Sequence, residues 1–110
     1  MKTINYDLLP EHIRGGMKRY IEQGVLPGDF LQAVIQDKLV NSFGCADDVN
    51  RVNMFSIAKF AYNEMPMLSR GSEEAMFRWH KIGGLNGLME KNTNENNQGR
   101  KSGDGDEQVG

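Results

Sequence analysis

The residues best suited to contact another molecule are crowded into one short stretch, His12-Ile13-Arg14-Gly15-Gly16-Met17-Lys18-Arg19-Tyr20. Arg14, Lys18 and Arg19 supply three cations, and Tyr20 adds an aromatic face beside them. Arginine next to an aromatic ring is a combination that contacts phosphates and stacks on nucleobases. Leu9, Ile13, Met17, Tyr20 and Ile21 follow one face of a helix, which puts the glycine pair inside that helix. Each such glycine costs roughly 1 kcal/mol against alanine, so something must come close to the backbone there. Gly16 falls on the apolar face, where it lets a second helix approach. Gly15 falls on the polar face near His12, Arg19 and Glu22, where it opens the backbone to a ligand or partner. The same charges also have a plainer reading as a solvated helix face, with Lys18 paired to Glu22 at i,i+4.

Other chemistry is thinner. His12 and His80 each lack a second ligand at i+3 or i+4, and the single Cys45 excludes both an intramolecular disulfide and a multi-cysteine zinc site. No histidine lies near Cys45 in sequence, and Asp47-Asp48 read as helix-start residues rather than as a carboxylate pair. The glycines at 15 and 16 sit within a helix, unlike the glycines of a phosphate-binding loop. Gly44-Cys45-Ala46 has the look of a helix-turn-helix connection, but a recognition helix opening on Asp47 and Asp48 would repel the duplex. No group here demands catalysis, so the expectation is a protein that is not an enzyme and takes no cofactor or metal.

The elements that position these residues follow from apolar spacing and from helix stops. A helix over 10–23 opens on Pro10 and Glu11 and stops at Gly24. A second, over 29–43, carries Phe30, Leu31, Val34, Ile35, Leu39 and Phe43. A third, over 47–65, has apolar residues covering more than one face, which predicts packing on two sides before Pro66 ends it. A fourth, over 73–82, is capped by Ser72 and stopped by Gly83-Gly84. No alternating β-branched run suggests a strand. The fold class is therefore all-α, a compact bundle of about four short helices in residues 1–89. Its predicted core comprises Ile13, Met17, Ile21, Leu31, Val34, Ile35, Leu39, Phe55, Ala58, Ala61 and Tyr62. Met65-Pro66-Met67-Leu68 is too apolar for a simply wet loop, so it either folds onto the core or meets a partner beside Trp79.

With 110 residues the chain is one domain. From Lys91 onward Val109 is the only apolar residue, and residues 90–110 read as a disordered polar tail. The formal net charge of −2 divides evenly between residues 1–90 and the remainder, which excludes a generic polyanion binder. The N-terminus lacks the apolar core of a signal peptide, and no apolar run is long enough to span a membrane, so no membrane is expected and the expected location is cytoplasmic.

The run PEHIRGGMKRYIEQGVLPGDFLQAVI, with AYNEMP and the Trp79 to Gly84 segment further on, resembles short uncharacterised proteins of tailed phages and prophages. The likeness spans roughly residues 10–85 and is most specific at His12-x-Arg14-Gly15-Gly16, Arg19-Tyr20 and Pro27-Gly28. It brings no activity or catalytic residue with it. What it implies is a setting in a bacterial host cytoplasm, where small phage accessory proteins act by binding. The expectation is a non-catalytic accessory protein that inhibits or modulates a bacterial host protein. The alternative is a nucleotide or nucleic-acid binder using the Arg/Lys/Tyr surface of the first helix. A homodimer would help so small a core. The candidate binding surface is His12, Arg14, Gly15, Lys18, Arg19 and Tyr20, with Tyr62, Asn63, Glu64 and Trp79 as neighbours.

Overall fold

Short-range hydrogen bonding decides where each helix of this chain begins and ends. In the computed structural model, which describes residues 3–91, Asn5 caps a 3₁₀ turn over Tyr6–Leu8. The chain then enters α1 (Glu11–Gln23), which Gly24 ends at a φ of 74°. There follow α2 (Asp29–Ile35), α3 (Leu39–Cys45), α4 (Asp48–Val52) and α5 (Met54–Asn63). A second 3₁₀ turn at Met67–Ser69 precedes α6 (Glu73–Ile82), and α7 covers residues 84–91. No strand occurs among the described residues, in keeping with the all-α class. Residues 90 and 91 close α7 rather than beginning a tail; the rest of the predicted tail, 92–110, lies outside the described residues.

Seven helices stand among the described residues where about four were predicted. The helix predicted over 29–43 is cut by Asp37, which adopts a φ of 62°. Lys38 N–H donates to Ala33 O at 2.9 Å and Asp37 N–H to Val34 O at 3.2 Å, the bond pair of a Schellman stop made without glycine. The helix predicted over 47–65 is cut at Asn53, whose side-chain Nδ2 turns back to donate to Val49 O at 2.8 Å. Gly83, at a φ of 91°, does stop α6, but the chain restarts at once as α7. There the α7 start crosses the end of α1 backbone to backbone. A Cβ on Gly84 would lie 2.6 Å from Gly24 N, so only glycine fits the crossing.

The core gathers Leu9, Ile13, Met17, Tyr20 and Ile21 with Phe30, Leu31 and Ile35, and closes with Ile57, Phe60, Met76 and Trp79. Ile13, Met17, Ile21, Leu31, Ile35 and Ala61 are buried as predicted, and Val34 is half-buried. Leu39, Phe55, Ala58 and Tyr62 are exposed, against expectation. The cause in α5 is that Met54, Ile57, Phe60 and Ala61 turn inward, which leaves positions 55, 58 and 62 on the opposite face. That helix packs on one side, not two. Leu39 is displaced because α3 starts afresh after the Asp37 turn.

Two stability measurements follow. In urea denaturation Ile35→Ala costs about 2–5 kcal/mol, whereas Leu39→Ala costs under about 0.5 kcal/mol; equal losses would return Leu39 to the core. Asp37→Gly raises stability by up to about 1 kcal/mol, since glycine takes the left-handed conformation without a Cβ penalty. A loss instead would mean that the 3.5 Å contact of Asp37 with Arg70 outweighs the strain.

Candidate functional site

The structure divides the residues singled out on the first helix. Arg14 is half-buried, and its Nε donates to Leu9 O at 2.8 Å, tying the 3₁₀ turn to α1. Lys18 and Arg19 are exposed, as is Gly15, where an added Cβ would meet only the tip of Arg19 at 3.2 Å. Gly16 faces Leu31, at ordinary contact distance for a Cβ. Tyr20 is not at the surface. It is fully buried, and its hydroxyl donates to Ser69 O at 2.7 Å. Burial pushes that hydroxyl well above its ordinary range, so it stays protonated. Trp79 is interior too, its indole N–H shared between Tyr20 O at 3.1 Å and Ile21 O at 3.2 Å. Glu64 accepts from Asn5 N–H at 3.0 Å, and Asn63 is exposed beside it.

His12 and Arg19 line a cleft of about 500 Å³ of mixed character, with Asp47, Asn50 and Cys45 on one hand and Ile13, Val25, Leu26, Phe30 and Leu31 on the other. Asp47 uses both carboxylate oxygens. Oδ1 accepts Asn50 N–H at 2.7 Å as the α4 cap, and Oδ2 lies 2.9 Å from His12 Nε2. The Asn50 N–H, and after it His12, hold the Asp47 carboxyl below its ordinary value. Asn50 is buried, and its side-chain oxygen takes no hydrogen bond. Cys45, a free and exposed thiol, shares the cleft, with no hydrogen bond between it and His12. No cluster of three or more His, Cys, Asp or Glu side chains suited to a metal ion occurs among the described residues.

A second concavity went unnoticed in the sequence. Between α2–α3 and α5 an open groove of about 480 Å³ is lined by Val34, Leu39, Met54, Ile57, Ala58 and Tyr62. Its charges gather beside Tyr62, where the Arg70 guanidinium lies 5.7 Å from the ring centroid and its Nη1 lies 3.5 Å from Asp37 Oδ1. The Arg70 Nε is buried and donates to nothing. Of the residues predicted for a site, only Tyr62 belongs here. The signal that could have found the groove was the apolar set of α5, which covers two faces while only one is packed.

No protein family, curated protein or solved structure matches this chain. Among the described residues no helix is long and apolar enough to cross a membrane.

Two substitutions separate structural from surface roles on α1. Arg14→Ala lowers stability by about 1 kcal/mol through the lost bond to Leu9 O. Gly15→Ala keeps stability or raises it by up to about 1 kcal/mol. Thermal or urea unfolding of the two variants checks both, and a Gly15→Ala variant that unfolds would make that glycine structural.

Proposed function

We propose that this chain is a non-catalytic binding protein whose working surface is the groove of α2, α3 and α5, which receives the apolar face of a helix from another protein. The observation that carries this reading is the apolar lining that α5 gives the groove, Met54, Ile57, Ala58, Ala61 and Tyr62, of which Ala58 and Tyr62, at i and i+4, are exposed, Tyr62 at 77%. Apolar residues at that spacing are how a helix presents itself to another helix. Leu39, 60% exposed, borders the same groove. Contiguous apolar surface of this kind on a folded chain marks an interaction site. The Arg70 guanidinium, which reaches Asp37 at 3.5 Å, places a cation at the Tyr62 end of the groove and favours an acidic residue on the incoming helix there. The resemblance of residues 10–85 to phage proteins is the ground on which a bacterial protein is proposed as the owner of that helix. The nucleic-acid alternative has less to stand on: Tyr20 is buried and the Arg14 Nε is engaged, which leaves Lys18 and Arg19.

The test is retention of proteins from nuclease-treated bacterial lysate by immobilised wild type and by Ala58→Glu, Tyr62→Asp and Arg19→Ala, each shown folded by circular dichroism. Proteins held by wild type and Arg19→Ala but lost by both groove variants support the reading. Retention unchanged in the groove variants, loss with Arg19→Ala, or nothing retained by wild type overturns it.

A further inference from the structure

We infer that the cleft between α1 and the start of α4 binds a small zwitterion with an apolar body, the chemistry of a free apolar α-amino acid. The cleft shares no lining residue with the groove of α2, α3 and α5, so the two sites are independent.

The glycine pair of α1 is the first observation. Gly16 lines the cleft from the middle of the helix. A mid-helix glycine costs stability against alanine, and packing does not require one here. A Cβ on Gly16 would meet only Leu31 Cδ1, at an ordinary 3.4 Å. What the missing side chain provides is bare backbone on the cleft wall, which a ligand can approach closely.

Asn50 is the second. It lines the same cleft at 3% exposure, and its side-chain oxygen receives no hydrogen bond. Buried polar atoms are almost always paired, so an orphan acceptor on a cleft wall calls for a donor from outside the chain. Asp47 is held beside it, its Oδ1 accepting the Asn50 N–H at 2.7 Å, and brings negative charge to that end. An ammonium group answers both, with three donors and a positive charge.

Arg19 supplies the opposite sign. No ion pair or hydrogen bond holds its guanidinium among the described residues. The side chain lies back over Gly15, with Nη1 3.2 Å from where a Cβ there would stand. Its planar fork suits a carboxylate. Val25, Leu26 and Phe30 give the cleft its apolar wall, and its volume of about 500 Å³ is that of a small-molecule pocket. A simple anion would meet Asp29 and Asp47, and a simple cation would leave Arg19 unpaired. A zwitterion satisfies both signs at once.

The experiment titrates the nitrogen-labelled full chain with L-phenylalanine and L-leucine and follows the backbone amide shifts. Phenylpropionate, which lacks the ammonium, and phenethylamine, which lacks the carboxylate, run in parallel. At least one amino acid should shift the amides of Gly16, Val25 and Asn50 saturably, and both truncated probes should bind at least about tenfold more weakly than L-phenylalanine. Gly16→Ala should melt no lower than wild type and yet lose the shifts at Val25 and Asn50. Arg19→Ala, at an exposed position, should weaken amino-acid binding at least about tenfold and leave that of phenethylamine unchanged. Saturable shifts with neither amino acid overturn the inference, as does a truncated probe that binds as tightly as L-phenylalanine. Binding that survives Gly16→Ala or Arg19→Ala overturns it too. A Gly16→Ala variant that melts lower makes that glycine a packing residue, with the same consequence.

Discussion

The arrangement of this domain hangs on two large aromatic side chains that carry polar atoms into the interior and find acceptors there. The Trp79 indole N–H is shared by Tyr20 O and Ile21 O, carbonyls in the last turn of α1, and the Tyr20 hydroxyl donates to Ser69 O in the turn before α6. Tyr20 O also accepts the Gly24 N–H at 2.9 Å that closes α1, and a buried indole N–H left without an acceptor would cost about 1–3 kcal/mol. With the indole held on α1 and the Tyr20 hydroxyl on Ser69 O, α1, the Met67–Ser69 turn and α6 are held in one geometry. The crossing of Gly24 by Gly84 follows, because α7 must leave the end of α6 directly over the end of α1.

Around that lock the molecule has a closed half and an open half. Two residues of the candidate surface on α1 also fasten neighbouring elements. Arg14 holds the Leu9 carbonyl, and His12 reaches Asp47 at the start of α4. The open half is α3 with the outer face of α5, where apolar side chains meet solvent and Arg70 keeps a donor without an acceptor. The surface proposed for binding thus lies where packing stops.

What could be read in advance depended on the kind of signal. α1 and α6 were legible to within a residue because proline, serine and glycine mark their ends and an apolar stripe runs between them. The breaks at Asp37 and Asn53 were not, since ordinary residues make those turns and nothing in composition separates them from helix interior. Tyr20 was misplaced for a geometric reason. It adjoins Arg19 in sequence, but neighbours on a helix point about 100° apart, so one faces solvent and the other the core. The two apolar faces of α5 were visible in the sequence; which of them would find a cover depended on where α3 went after Asp37.

The turn at Asp37 also sets how this half moves. α3 buries only Ser42, and it leaves α2 through a left-handed aspartate rather than a glycine. A seven-residue helix with a single buried residue belongs to the class of element that opens locally before a domain unfolds as a whole. Its backbone amides therefore exchange with solvent deuterium through local opening, while those of α1 and α6 wait for the whole domain. Since α3 supplies Leu39 to the groove, one wall stands on a helix that buries a single residue and the other on α5, which buries Met54, Ile57, Phe60 and Ala61.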